Sequence, residues 1–344
     1  MGFSVNELQL ALVVGVALVL SALLPFALKP LLAKLGVLDI PNERSSHTAV
    51  VIRGVGITVA VGIAAGLALS LVTGLVAVDR SLILIILAML SAAALLGWIE
   101  DYRGISIQVR VLLQLAIGAV GTAALAWTIG QSFWWVPVGA LAVAAYVNAA
   151  NFMDGINGIS GMHGVVVGIF YAVAGMLSSQ LWLVVAGLVL AAAFAGFLPW
   201  NLGRGTVFLG DVGSYLLGAS VAAIAVTGLL AGVYLEYLLS PVLIYLADTF
   251  TTFLRRVRAG DRWYAPHREH VYQRLTDVGL THVQSALVVT VASMLTGAAG
   301  FVAATAPPLV AVAFSLLAAA AVVLYLYTPR LLAKKSTGRI SLER

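Results

Sequence analysis

The sequence predicts an all-α polytopic membrane protein, and three observations lead there. Of its 344 residues, 62% are hydrophobic and only 10% charged, whereas a soluble domain carries about a quarter charged residues. The apolar residues come in runs of about twenty, the length of helix that crosses a hydrocarbon layer about 30 Å thick. Those runs are unbroken. Barrel strands would alternate, and an open sheet would leave unpaired backbone groups in lipid. The chain has no cysteine, so disulfides and thiolate chemistry are excluded.

Eleven spans are expected, near 7–28, 54–77, 81–99, 108–128, 133–150, 161–177, 180–199, 212–233, 236–254, 284–305 and 307–328. The first ten residues hold Glu7 and no Lys or Arg, unlike the basic start of a signal peptide, so the first run reads as a retained helix. No repeat or linker divides the chain, which makes residues 1–344 one integral-membrane domain. With these spans, 18 of the 19 Lys and Arg residues fall on one side, and only Arg80 falls opposite. Basic loops stay in the cytoplasm. The N-terminus is then periplasmic and the C-terminus cytoplasmic. That placement accounts for the net charge of +5 without a nucleic-acid partner, and the lipid bilayer with its anionic headgroups is the expected neighbour. The cytoplasmic connections are the longer ones, and the large loop over 255–283 is the longest.

The acids collect on that same face. Glu100 and Asp101 follow the third span, Asp154 follows the fifth, Asp211 precedes the eighth, and Asp248 lies at the inner end of the ninth. Each alone could be a solvated or ion-paired helix end. Together they would repel unless a cation offsets them. Carboxylate oxygens suit Mg²⁺ or Mn²⁺, and Mg²⁺ commonly bridges protein carboxylates to substrate phosphates.

Three further stretches surround these acids. In VNAANFMDGINGISGMHG (Val147 to Gly164), Asn148, Asn151, Asp154 and Asn157 recur every three residues, a spacing that keeps polar groups near one helical face. Such residues also cap helices, but three amides plus an acid exceed what a cap needs. In GRGTVFLGDVGSYLLG (Gly203 to Gly218), Asp211 opens a span, as a plain N-cap or as a metal ligand where free amides attract phosphate. The stretch Leu254 to Leu275 carries six arginines. As a set they read as an ordinary basic juxtamembrane loop, while His267, Arg268 and His270 together read as substrate contacts, because guanidinium forks fit diphosphate oxygens.

At these residues the sequence resembles the polyprenyl-phosphate N-acetylhexosamine-1-phosphate transferase family. The likeness runs in order through DIPNERSSH (Asp39 to His47), WIEDYRG (Trp98 to Gly104), NFMDGINGISG (Asn151 to Gly161), FLGDVGS (Phe208 to Ser214), LADT (Leu246 to Thr249) and PHREHVYQRL (Pro266 to Leu275). The resemblance implies Mg²⁺-dependent transfer of a sugar 1-phosphate from a UDP-N-acetylhexosamine to undecaprenyl phosphate, with release of UMP, in the bacterial inner membrane. Mn²⁺ could replace Mg²⁺, and dimers occur in the family, so a homodimer is compatible. It further implies that Asp211 and Asp101 hold the metal, and that Glu100, Asp101, Asp154 and His270 are catalytic. Arg53, Asn148, Asn151, Asn157, Phe208, His267 and Arg268 are the candidate substrate contacts, with Phe208 stacking on uracil. DIPNERSSH and HREHVYQRL resemble the branch that starts O-antigen chains with N-acetylated 6-deoxyhexosamines. The chain departs from the family pattern at Glu100 and Asn157, where aspartate is common, at Tyr272 and Gln273, where histidine occurs in the N-acetylglucosamine branch, and at Arg53, where proline is common. A polyprenyl phosphate is ionised near neutral pH, so direct attack on the sugar-bearing phosphoryl group is expected, without a phosphoryl-aspartate intermediate.

Two rival classes are a secondary transporter and a metal-free scaffold for other glycan enzymes. Transporters place ionisable groups near the membrane midplane. In this sequence the acids stand at one end of the spans.

Overall fold

The computed structural model describes residues 6–39, 51–203, 207–261 and 268–340, with backbone only for Asp39 and 334–340. Among these residues the fold is helical: α1 (Glu7–Lys34), α2 (Ile57–Val72), α3 (Arg80–Arg103), α4 (Ile107–Ile129), α5 (Trp135–Met153), α6 (Ile159–Leu177), α7 (Leu181–Leu202), α8 (Gly210–Leu230), α9 (Leu235–Leu239), α10 (Leu243–Ala259), α11 (Val271–Asp277), α12 (His282–Thr305) and α13 (Pro308–Ile340). A 3₁₀ turn, Ser240–Val242, joins α9 to α10 so that Leu235–Ala259 acts as one broken span. The all-α expectation holds. The only sheet among the described residues is a two-residue antiparallel ladder of β1 (Leu38–Asp39) and β2 (Val51–Ile52).

Among the described residues, ten helical segments are long and apolar enough to cross a membrane. The eleventh expected span, near 54–77, falls short. Its helix α2 has 16 residues, about 24 Å at 1.5 Å per residue. Gly54 at its start and Gly74 after its end both have positive φ, a conformation that cannot continue a right-handed helix. One face of α2 is buried by α1 and α7.

Helix α8 is the axis of the bundle. It is buried along almost its whole length and packs against α3 and α5, with α2 and α4 alongside. Among the bulkiest buried side chains, Trp182, Tyr171, Phe194 and Phe197 come from the α6–α7 pair, Tyr215 from α8 itself, and Tyr245, Tyr272 and Tyr325 from α10, α11 and α13. Lipid supplies no hydrophobic drive between helices, so close backbone approach and interhelical hydrogen bonds hold such bundles together. At the α3–α8 crossing, a Cβ on Gly97 would lie 2.3 Å from the Asp211 carbonyl oxygen. A glycine there lets α3 reach the first turn of α8.

The ends of α3, α5, α7 and α10 and the starts of α4, α6, α8 and α11 share one side of the bundle, as their mutual contacts show. On the opposite side, Gln9 near the start of α1 donates to the Thr73 carbonyl just past α2 (3.1 Å).

Replacing Gly97 by Ala is expected to displace α8 and cost about 1–3 kcal/mol, as overpacking does. Gly15→Ala, with nothing within 4 Å of its added methyl, should be neutral or slightly stabilising. Thermal melting in detergent separates the two; equal melting temperatures would refute the close crossing.

Candidate active site

The first turn of α8 exposes backbone N–H groups that the helix itself cannot satisfy. Its N-cap residue, Leu209, makes no side-chain cap. The missing acceptor comes from another helix. Asp101, in the last turn of α3, accepts from the amides of Asp211 (3.0 Å to Oδ1) and Val212 (2.9 Å to Oδ2). A carboxylate is the favoured group there because the helix N-terminus carries partial positive charge. The Asp101 side chain is fully buried by this role.

Arg53 completes the arrangement. Its Nε lies 2.6 Å from Asp101 Oδ1 and its Nη2 lies 2.6 Å from Asp211 Oδ2. The backbone around it is fixed by pairing. Arg53 N donates to the Val37 carbonyl (3.1 Å), and on either side Phe208 N donates to Ile52 (3.0 Å) and Gly56 N to Leu209 (2.9 Å). The segment before α2 is thereby laid along the segment before α8. The other Asp211 oxygen accepts from Asn151 Nδ2 (2.7 Å), which also donates to Ser214 Oγ (3.0 Å). Arg53, Asp101, Asn151 and Asp211, distant in sequence, thus form one hydrogen-bonded group at one end of α3, α5 and α8.

Asp154 caps α5 beside this group. Its Oδ1 accepts from the Ser160 hydroxyl (2.6 Å). Burial pushes its carboxyl up to about 7, with repulsion from Asp211 and Asp101 adding to the rise, while the Ser160 hydrogen bond and Arg53 pull it down.

The other predicted residues stand apart. Glu100 follows a different direction from Asp101, as neighbours on a helix must. It accepts from Ile105 N (2.7 Å) and pairs with Arg110 (2.8 Å), closing the α3–α4 turn. Arg110 also reaches the Tyr215 hydroxyl at 3.4 Å. Asn148 donates to Gln114 Oε1 (2.6 Å) and serves the α4–α5 contact. Asn157 is half-buried and makes no side-chain hydrogen bond to described residues. Phe208 is half-buried and anchored through its backbone. Arg268 is exposed, 3.8 Å from Asp277. His267 and the 40–47 part of DIPNERSSH lie outside the described residues.

His270 is buried on a second polar centre, built on Asp248 of α10. Asp248 accepts from Val271 N (3.0 and 3.1 Å to its two oxygens), the Tyr325 hydroxyl (2.7 Å) and Thr252 Oγ1 (3.3 Å), and His270 Nδ1 lies 3.1 Å away. It binds α11 and α13 to α10. The neighbouring Tyr272 donates to the Phe152 carbonyl at the end of α5 (3.0 Å), so the His270 turn is joined to the segment carrying Asp154. Sequence reasoning counts Asp248 among the acids but gives it no role, names Tyr272 only as a departure from the family pattern, and assigns nothing to Ser160, Ser214, Arg110 and Tyr325. Ser160, Ser214 and Tyr272 sit inside the quoted motifs and are open to detection; Arg110 and Tyr325 carry no such signal.

For a divalent ion the donor set fits. No three acidic or histidine side chains among the described residues converge enough to hold a metal alone, and Mg²⁺ typically takes only one or two carboxylates, with water and phosphate oxygens completing its shell. Asp211 would hold it directly. Asp101, whose oxygens already cap α8, would act mainly by fixing Asp211. The guanidinium of Arg53 between the two carboxylates shows that the place accepts positive charge.

In metal-free protein, Asp154 should be protonated at pH 6 and ionised at pH 8. Its folded value lies above the ordinary carboxylate range, so this group's contribution to stability falls as pH rises toward about 7. Infrared difference spectra between those pH values should show a protonated-carboxyl band that Asp154→Asn lacks; identical spectra would refute the shift. Asp248→Ala strands several buried donors at about 1–3 kcal/mol each, and Tyr325→Phe should cost about 1 kcal/mol. Melting temperatures test that order, and an Asp248→Ala protein as stable as Tyr325→Phe would remove Asp248 from its central place.

Comparison with known proteins agrees with this geometry. Residues 82–229, which include Glu100, Asp101, Asn151, Asp154 and Asp211, match the family model described as glycosyl transferase family 4. A probable undecaprenyl-phosphate N-acetylglucosaminyl 1-phosphate transferase of Bacillus subtilis is 28% identical over 292 residues, covering 80% of each chain. A decaprenyl-phosphate N-acetylglucosaminephosphotransferase of Mycobacterium tuberculosis is 28% identical, covering 84% of this chain and 81% of that one. An undecaprenyl-phosphate alpha-N-acetylglucosaminyl 1-phosphate transferase of Escherichia coli K12 is also 28% identical, covering 78% and 77%. The match spans the helices that build the acidic group, and over them the chain is similar to polyprenyl-phosphate N-acetylglucosamine-1-phosphate transferases.

Proposed function

We propose that this membrane protein is a polyprenyl-phosphate sugar-1-phosphate transferase. It takes the sugar 1-phosphate from a UDP-N-acetylated hexosamine, gives it to a polyprenyl phosphate such as undecaprenyl phosphate, and releases UMP. The observation that carries this reading is Asp211, buried at the start of α8 and held between Arg53 and Asn151 at the end of three spans. A site at a helix end can meet a water-soluble nucleotide and a lipid phosphate together. A transporter would need it deeper.

In the reaction, an oxygen of the polyprenyl phosphate attacks the β-phosphorus of the UDP-sugar. The bond from that phosphorus to the bridging oxygen breaks, and UMP leaves with the oxygen. Both substrates are anionic phosphates, so catalysis is mainly positioning and charge stabilisation. Mg²⁺, when bound, supplies positive charge for the diphosphate oxygens. Arg53 carries a fixed positive charge beside Asp211 and can turn to the diphosphate. Asn151, whose amide also donates to Ser214, holds the Asp211 carboxylate in one orientation. Asp154, with its raised carboxyl value, is suited to exchange a proton with a phosphate near neutral pH. His270, fixed by Asp248, stands on the turn joined to α5 through Tyr272.

The finer reading is an N-acetylated 6-deoxyhexosamine donor, of the N-acetylfucosamine or N-acetylquinovosamine type, at the start of an O-antigen or other envelope polysaccharide, on the cytoplasmic face of the bacterial inner membrane. The HREHVYQRL segment supports it, with Tyr272 and Gln273 where the N-acetylglucosamine branch carries histidines. The relatives named above act with N-acetylglucosamine, which makes that sugar the alternative donor.

Purified protein in detergent, given undecaprenyl phosphate, Mg²⁺ and a panel of UDP-sugars, should release UMP with one N-acetylated sugar and lose turnover on chelation. No UMP with any sugar would return the chain to the transporter or scaffold class. Asp211→Ala should lower turnover at least about a hundred-fold, as loss of an electrostatic group does, with the fold retained; undiminished turnover would remove Asp211 from the site.

A further inference from the structure

A second concentration of charge lies away from the acidic group and is left unused by the proposed reaction. Arg255 of α10, Arg274 of α11 and Arg330 of α13 line one cavity of about 210 Å³, together with Thr251 and Tyr327. Three helices therefore direct their guanidinium groups to one space. Among the described residues none of the three has a carboxylate within ion-pair distance. Arg255 is held by Thr252 Oγ1 (3.3 Å) and the Glu269 carbonyl (3.5 Å), and Arg330 lies over the Tyr327 ring at 5.4 Å. Partial burial, and then the charges of Arg255 and Arg330, push Arg274 below its ordinary value despite opposing pulls from Asp248 and Asp277. Like charges gathered this way cost free energy unless an anion offsets them. The general excess of basic residues at this membrane end explains each arginine singly. It does not explain three from separate helices around one cavity.

The flanks favour a lipid over a free anion. Tyr327 and Leu331 beside Arg330 on α13 are exposed, while the exposed Phe250 and Phe253 of α10 lie on its other side. Arginine forks bind phosphate oxygens, and exposed apolar residues next to them suit acyl chains. We propose that Arg255, Arg274 and Arg330 form a binding site for the phosphate headgroup of an anionic glycerophospholipid, separate from the site of sugar-phosphate transfer. A lipid seated there neutralises the cluster and joins α13 to α10 and α11, on the side of α10 opposite its exposed phenylalanines.

Native mass spectrometry of the detergent-purified full chain, titrated with phosphatidylglycerol, phosphatidylcholine and inorganic phosphate, tests this. Phosphatidylglycerol should bind in preference to both others. Arg255→Gln, Arg274→Gln and Arg330→Gln should each weaken it about five-fold, matching about 1 kcal/mol per basic residue at an anionic surface. Arg103→Gln, an exposed arginine over Tyr102 on the same face, should leave it unchanged. Arg255 and Arg330 are exposed, so their variants should fold as the parent does. Unchanged phosphatidylglycerol binding in all three variants would overturn the proposal, and so would phosphatidylcholine or inorganic phosphate binding as tightly. KM for undecaprenyl phosphate, measured at fixed phosphatidylglycerol, should stay the same in the variants; a five-fold rise would give the arginines to the acceptor substrate and overturn a separate lipid site.

Discussion

The site depends on one interaction: a carboxylate on α3 capping the N-terminus of α8. Asp101 supplies acceptors for two amides that α8 cannot satisfy, and in doing so it sets where Asp211 stands. Its negative charge also draws Arg53 in, and Arg53 reaches Asp211 in turn. Without that cap, α8 would begin with buried, unpaired N–H groups, which are costly. One side chain therefore both caps α8 and places Asp211.

Asp248 repeats the device. It caps α11 from α10, receives Tyr325 from α13 and fixes His270. In both cases several donors surround a buried acid, the condition for burying such a group at all. Both acids lie at the same end of the bundle. Among the described residues the opposite end is tied by contacts such as Gln9 to Thr73.

Close packing makes these reaches short. A carboxylate side chain spans only a few ångströms, so α3 must lie almost against α8. Gly97 permits that crossing, since any Cβ would meet the Asp211 backbone. Gly210 contributes at the other side: it has positive φ, and a Cβ there would come within 2.7 Å of an Asp101 oxygen. The motif glycines are thus explained by what the acids need to touch.

Much of this was legible in the sequence. Apolar runs gave the helices, because lipid forces each span to satisfy its own backbone, and ten of the eleven expected spans have the length to cross. The side on which acids and bases gather was legible from their place between the runs. Three dimensions decided the rest. Glu100 and Asp101 are adjacent, yet one closes a turn with Arg110 while the other caps α8, because successive helical residues point about 100° apart. Asn148 and Asn151 share a spacing, yet one serves Gln114 and the other Asp211. The span at 54–77 is apolar enough, but its helix is bounded by Gly54 and Gly74, both at positive φ. Composition and order fix what each segment can bury. Which side chains meet depends on helix rotation and crossing, and those are set by partners that the local sequence does not contain.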